Sequence, residues 1–253
     1  MLQDLHAHTY YSFCGGDTPE SIVEAAIDAG LEVFGITDHN YGVNFLRVDL
    51  WQNPAVQALP VHAYRTFRRY YDHMRLIRDQ YADRIRVMLG IEVCTLPDPR
   101  YHLPEDADVS FFDYALVESL DTPGSLSHDD LFAYAKRLGT PTVGVAHTDL
   151  FAYIRNRGED PLTYFKRMAE ENIFWEMNVS YDPIHNFRVH QYMVEFFENK
   201  EQQDIVRESG VKVSVGFDGH QVQHYLPERV CDYCRKLEAL RIPQPFDPAP
   251  AIQ

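Results

Sequence analysis

No apolar run in this sequence reaches the roughly 18 residues that a membrane-spanning helix needs, which excludes a helical channel or carrier. Cysteine is scarce. Its four occurrences, Cys14, Cys94, Cys231 and Cys234, are too few and too scattered for a disulfide scaffold. Cys231 and Cys234 have C-x-x-C spacing, but no second pair stands nearby to complete a zinc knuckle, and they read as one face of a late helix. Positive charge is outnumbered, with 23 Lys and Arg against 38 Asp and Glu and a net charge of −15. That balance disfavours nucleic acid and anionic membrane as partners. A small phosphorylated substrate stays open, because multivalent cations in a pocket reverse the sign locally. Low-complexity segments and internal repeats are missing too. The start, Met1-Leu2-Gln3-Asp4-Leu5-His6, lacks the basic, apolar and cleavage regions of a signal peptide, so a cytoplasmic location is expected.

What is present is the balance of a folded globular protein, with 45% hydrophobic and 24% charged residues, and a single domain over 1–253 is the expectation. Short apolar, β-branched runs recur at 33–36, 85–91, 114–117, 142–146, 173–177 and 211–215, and a first strand around Leu2 to Leu5 makes seven. Helical stretches lie between them. Thr18-Pro19-Glu20 offers an N-cap, a proline at the first helical position and an early acid, with Gly30 as the stop. Residues 63–82, a helix opened by Asp160-Pro161, and one long helix over 188–209 follow from apolar residues at helical spacing. Strand alternating with helix predicts a parallel sheet covered on its faces, and seven such units favour an α/β barrel. The loops 40–62 and 94–112, rich in Pro, Tyr and Asp, would form its rim, and the proline-rich tail 243–250 would wrap the surface.

Ionisable residues collect just past the strands. His6 and His8 follow the first, Asp38 and His39 the second, and Glu92 the third. Glu118 and Asp121 follow the fourth, His147 and Asp149 the fifth, Asn178 the sixth, and Asp218 and His220 the seventh. A barrel points side chains at the C-terminal strand ends into one mouth. Residues i and i+2 of an extended segment project the same way, so His6 with His8, and Asp218 with His220, can each grip one ion. Imidazole with carboxylate suits zinc, manganese or iron. His62, His73, His102, His128, His185, His190 and His224 read as structural or solvated, since a lone histidine at a strand end is usually not a ligand.

At these residues the sequence resembles the PHP (polymerase and histidinol phosphatase) family. Its signature blocks are similar to Asp4-Leu5-His6-Ala7-His8-Thr9 with Thr37-Asp38-His39, then Gly90-Ile91-Glu92, then His147, then Asp218-Gly219-His220. Within that family it looks closest to the histidinol-phosphatase branch, through the arginine-rich helix leading into 85–92 and through Ala146-His147-Thr148-Asp149-Leu150-Phe151. The resemblance implies a distorted (β/α)7 barrel with a metal site at the C-terminal ends of the strands, holding two or three divalent ions. His6, His8, Glu92 and Asp218 would hold the first. Glu92 would bridge to a second ion held also by His147, and His39 and His220 would hold a third. Two blocks depart from the pattern. The loop Ser12-Phe13-Cys14-Gly15-Gly16-Asp17 lacks the family's histidine, for which Asp17 or Cys14 would substitute. The block Asp113 to Asp121 ends in acids where the family has a histidine, and Asp121 or Leu120 aligns there.

The expected reaction is hydrolysis of a small phosphate monoester, with histidinol phosphate foremost, by water activated on the ions. Glu92, His147, Asp218 and His220 would carry the chemistry, and Arg155 and Arg157 would help hold the phosphate. Other PHP-type hydrolysis, of a nucleotide, sugar phosphate, phosphodiester or amide, is the neighbouring expectation. A degenerate metal-binding domain is the non-catalytic one. The aromatic loops carrying Tyr10, Tyr11, Tyr41, Phe45 and Trp51 suit an organic substrate.

Overall fold

A computed structural model of the chain describes residues 1–44 and 63–246. Seven parallel strands follow one another in sequence order: β1 (Gln3–Asp4), β2 (Val33–Ile36), β3 (Arg86–Cys94), β4 (Tyr114–Glu118), β5 (Val143–Val145), β6 (Ile173–Asn178) and β7 (Val213–Gly216). The sheet curls until its ends meet. Leu5 N–H donates to Val215 O at 3.0 Å, and Ala7 bridges Gly219 in parallel sense. The result is a nearly closed, distorted (β/α)7 barrel, as expected. The strands read as unbroken apolar runs because both faces are covered.

The interior is a packed core. Leu5, Val33, Met88, Tyr114, Leu116, Ala146 and Phe174 form one buried cluster inside it. Tyr114 spans the lumen and donates its hydroxyl to Leu5 O at 2.7 Å. It fits because Gly90 faces it, where an added Cβ would lie 2.6 Å from Tyr114 Cζ. The described part of the proline-rich tail does not merely wrap the surface. Pro243 O accepts from Val213 N–H at 2.8 Å, and the Phe246 ring sits 5.5 Å from that of Tyr114, closing the core. Residues 247–250 of that tail lie outside the described residues.

Nine helices stand among the described residues. In α1 (Pro19–Asp28), Thr18 caps Ser21 N–H, and Gly30 follows the end at φ +73. Then come α2 (Asn40–Asn44), α3 (Ala63–Tyr81), α4 (Leu131–Leu138), α5 (Leu150–Asn156) and α6 (Pro161–Glu170). The single helix expected over 188–209 is in fact two, α7 (Gln191–Glu198) and α8 (Lys200–Ser209). Asn199 breaks the run: its backbone is extended, and its side chain accepts from Glu201 and Gln202 N–H, starting a new helix. Cys231 and Cys234 lie buried on α9 (Pro227–Ala239), as the spacing predicts, with Cys234 Sγ against the backbone of Gln3. None of these helices is long and apolar enough to cross a membrane. Trp175 on β6 is fully enclosed by Phe151, Phe165, Tyr192 and Phe196, and burying one such side chain contributes roughly 3 kcal/mol.

Candidate metal centre

Two acids of the opening motifs build the mouth without facing it. Asp4 accepts from Phe217 N–H at 2.9 Å and Tyr225 Oη at 2.9 Å, tying β1 to the β7 end. Asp38 accepts from Thr9 N–H and Oγ1, Ser12 N–H and Oγ, and Tyr70 Oη, all within 3.0 Å. Its carboxylate therefore fixes the loop that follows His8.

Over this scaffold His6, His8, Glu92 and Asp218 converge. His6 Nε2 lies 3.2 Å from His8 Nε2, 3.2 Å from Glu92 Oε1 and 3.5 Å from Asp218 Oδ1. His8 Nε2 is 3.0 Å from Asp218 Oδ1 and 3.5 Å from Glu92 Oε2. Two bonds of about 2.1 Å to one ion separate their ligand atoms by about 3.0–3.4 Å, which these spacings match. His6 turns Nδ1 to Glu176 Oε1 at 2.7 Å, and a carboxylate only accepts, so Nδ1 carries a proton and Nε2 faces inward. Two inward ring nitrogens 3.2 Å apart need a cation or a proton between them.

Beside this set, Glu92 meets His39, His147 and Glu118. His39 Nδ1 is 2.7 Å from Glu92 Oε2, yet both atoms are buried without hydrogen-bond geometry. His147 Nε2 is 3.3 Å from Glu92 Oε1, and Glu118 Oε1 is 3.9 Å from His39 Nδ1. His147 holds φ +32 and Asp218 φ +58, unusual backbone for residues with a Cβ. The first is secured by its N–H to Glu176 Oε2 at 2.8 Å, the second by its N–H to His6 O at 2.8 Å. A third group joins Asp182, His185 and His220, and a fourth joins His8, Cys14, His39 and His220. His185 Nδ1 meets Asp182 Oδ1 at 2.8 Å and its Nε2 meets Asp218 Oδ2 at 3.0 Å.

Protonation follows this crowding. Burial alone would lower His6, but the Glu92, Asp218 and Glu176 carboxylates outweigh it and hold the ring well above its ordinary value. His39 is raised well above its ordinary value against burial, chiefly by Glu92, and His147 is raised against burial to about 9 by the same carboxylate. His8 goes well below, through burial and then His39 and His220. Glu92 and Asp218 stay well below the usual carboxylate range despite burial, through His6 and the other imidazoles around them. Protons on imidazole thus supply the positive charge that divalent ions would supply to the same acids. The donor set, the four carboxylates of Glu92, Glu118, Asp182 and Asp218 and the six imidazoles of His6, His8, His39, His147, His185 and His220, fits such ions.

Residues 4–117 match the family model of the PHP domain. Over that stretch, a little under half of the chain, it is similar to the PHP domain. No curated protein sequence matches it. Among solved structures it is similar to the histidinol phosphate phosphatase of Lactococcus lactis, determined with zinc, L-histidinol and phosphate. That similarity has 15% identity and a TM-score of 0.55 over 96% of this chain and 95% of the other. It is also similar to a histidinol phosphatase from Listeria monocytogenes so assigned provisionally, with 17% identity and a TM-score of 0.50 over 88% and 96%. The matched stretch carries His6, His8, His39 and Glu92 of this cluster.

Four expected residues stand elsewhere. Asp121 is exposed and belongs to none of the metal-competent groups found among the described residues. β4 runs one residue beyond the apolar run, and its register puts Glu118 beside Cys94, so Glu118 takes the place at the mouth. Asp17 accepts from Val222 N–H at 2.7 Å and ties down the loop, while Cys14 enters the cluster. Arg157 is bound to Glu159 and to the His128 and Asp129 carbonyls, and Arg155 lies over the Phe151 ring. Both stand at the far end of α5, about 10 Å of helix beyond the strand end. Sequence reasoning missed Glu176 and the Asp182–His185 pair. Glu176 had a signal: it is the lone charge within the apolar strand Ile173–Asn178.

Of the aromatic residues expected at the rim, Tyr41 stacks on His39 with centroids 4.7 Å apart; Phe13, which is not one of them, lies 6.1 Å from His39. Tyr10 and Tyr11 stack on each other at 4.8 Å, and Phe45, Trp51 and His62 lie outside the described residues.

Proposed function

We propose that this chain is a metal-dependent phosphatase acting on a small phosphate monoester, with histidinol phosphate the first substrate to test. The observation that carries the reading is the convergence of His6, His8, Glu92 and Asp218 at ligand spacing, with Glu92 shared by His39 and His147. The likeness in fold to a phosphatase solved with zinc, L-histidinol and phosphate supports the choice of substrate class.

Divalent ions at His6, His8, Glu92, Asp218, His39, His147, Glu118 and His220 would supply the concentrated positive charge that a phosphate dianion needs. The protein's own residues do the rest. Glu176 fixes the ring of His6 and the backbone of His147, so neither must reorganise during reaction. Asn178 Nδ2 reaches Asp218 Oδ2 at 3.3 Å and restrains that carboxylate. Arg188 takes the phosphate-holding role first given to Arg155 and Arg157. It is exposed on the loop after β6, with Nη2 3.3 Å from His190 Nε2, and the His190 ring faces that of His147 at 6.5 Å. Tyr41 and Phe13, stacked beside His39, offer a face to the organic part of the substrate.

The test is turnover of histidinol phosphate and of a generic aryl phosphate by metal-loaded protein. His8→Ala and Asp218→Ala are expected to lose at least about 100-fold in kcat/KM, and Arg188→Ala to raise KM about tenfold. A folded, metal-loaded protein inert toward a broad phosphoester panel would refute the proposal. Glu118, a carboxylate grouped with His39 and Glu92 in a block that offers no histidine, favours a second reading, in which another small phosphate ester is the better substrate.

A further inference from the structure

Cys14 Sγ lies with one ring nitrogen each of His8, His39 and His220, all four atoms within 4.8 Å of one another. The three rings are packed face to face, His8 on His39 at 4.4 Å and His8 on His220 at 4.5 Å. All three histidines are more than nine-tenths buried, and His220 Nδ1 has no hydrogen-bond partner. The group itself contains no carboxylate, although His8 and His39 also meet Asp218 and Glu92. Burying three imidazoles around a thiol, with a ring nitrogen left unpaired, costs free energy that a shared cation would offset.

The loop is built to hold the sulfur there. Tyr10 N–H donates to Asp17 O at 2.8 Å, Gly15 N–H to Ser12 O at 3.1 Å and Gly16 N–H to His220 O at 2.9 Å. A side chain at Gly15 would collide with the carbonyl of Thr9. The chain is thus pinned on both sides of Cys14, one side of it directly to His220. Cys14 differs from the other three cysteines, which are buried away from solvent, in being partly accessible.

We infer that Cys14 is a metal ligand, its thiolate joining His39 and His220 on an ion at the mouth of the site. This rests on the reading of the pocket as a metal centre. The thiol proton leaves to solvent as the sulfur–metal bond forms. The consequence is selectivity: a thiolate favours zinc, iron or cobalt over manganese or magnesium, whereas the neighbouring Glu92 and Glu118 carboxylates, with His147, are richer in oxygen and suit a harder ion. One mouth would then sort two kinds of metal.

Cobalt(II) loading of the metal-stripped protein tests this without reference to turnover. The expected result is a sulfur-to-cobalt charge-transfer band in the near ultraviolet, lost in Cys14→Ser. Thiol titration of the wild-type chain should show one accessible thiol when metal-stripped and none when loaded, a readout that needs no variant. Cobalt bound at two or more equivalents without the band, or with Cys14 labelled as fast as before, would overturn the inference and leave the metal centre standing. A band that persists in Cys14→Ser would overturn it as well. Failure to bind cobalt at all would remove both readings together.

Discussion

Glu176 accepts the Nδ1 proton of His6 at 2.7 Å while its other oxygen accepts the backbone N–H of His147 at 2.8 Å. One fully buried carboxylate on β6 therefore orients a side chain on the β1 side of the barrel and a strained backbone at the end of β5. Substituting Glu176→Gln keeps the shape and removes the charge. Metal affinity should fall about 10- to 100-fold, read by competition with a chromophoric chelator. Unchanged affinity would show that Glu176 serves packing alone.

Metal binding should release protons. His6 and His39 sit well above their ordinary values through the neighbouring carboxylates, and His147 sits near 9. These rings are charged at pH 7 in the metal-stripped protein and must deprotonate to bind an ion. Apparent affinity should therefore rise with pH up to about 9, and calorimetric heats at pH 7 should differ between buffers of different ionisation enthalpy. Equal heats in both buffers would contradict this protonation pattern.

His190 behaves oppositely. Burial, then the charge of Arg188, pushes its pKa down to about 4, so it stays neutral and Nε2 accepts from Arg188. A histidine depressed in the folded state binds fewer protons there than when unfolded. Its contribution to stability is complete above about pH 6.5 and is lost as pH falls toward 4. The NMR titration of His190 should show a midpoint near 4 that moves upward in Arg188→Ala. A wild-type midpoint near 6.5 would contradict the arrangement.

The lumen leaves no room at Gly90. An added methyl would lie 2.6 Å from Tyr114 Cζ and 2.7 Å from Thr37 Cγ2. Tyr114 cannot withdraw easily, because its hydroxyl is bonded to Leu5 O. Gly90→Ala should cost about 1–3 kcal/mol of stability in denaturant unfolding. A cost near zero would mean the core is looser than described.

Most of the barrel was legible in the sequence because its strands are continuous apolar runs with ionisable residues just beyond. What escaped was decided at finer scale. The break between α7 and α8 is hidden because apolar residues stand on both sides of it, Phe196 and Phe197 before and Ile205 and Val206 after, and Asn199 alone marks the restart. Glu118 against Asp121 depends on β4 reaching one residue past its last valine, a matter of pairing with Cys94 that composition does not reveal. His185 looked like an isolated loop histidine. It comes to Asp218 with Asp182 accepting from both its backbone N–H and its Nδ1, which leaves Nε2 toward Asp218.

The most direct measurement is metal per chain, by elemental analysis of protein reconstituted with zinc, manganese or iron. Two to three equivalents in the wild type, reduced in both His8→Ala and Asp218→Ala, is the expected result. One equivalent or none in the wild type, with the fold intact, would contradict the account of a multi-metal hydrolytic centre.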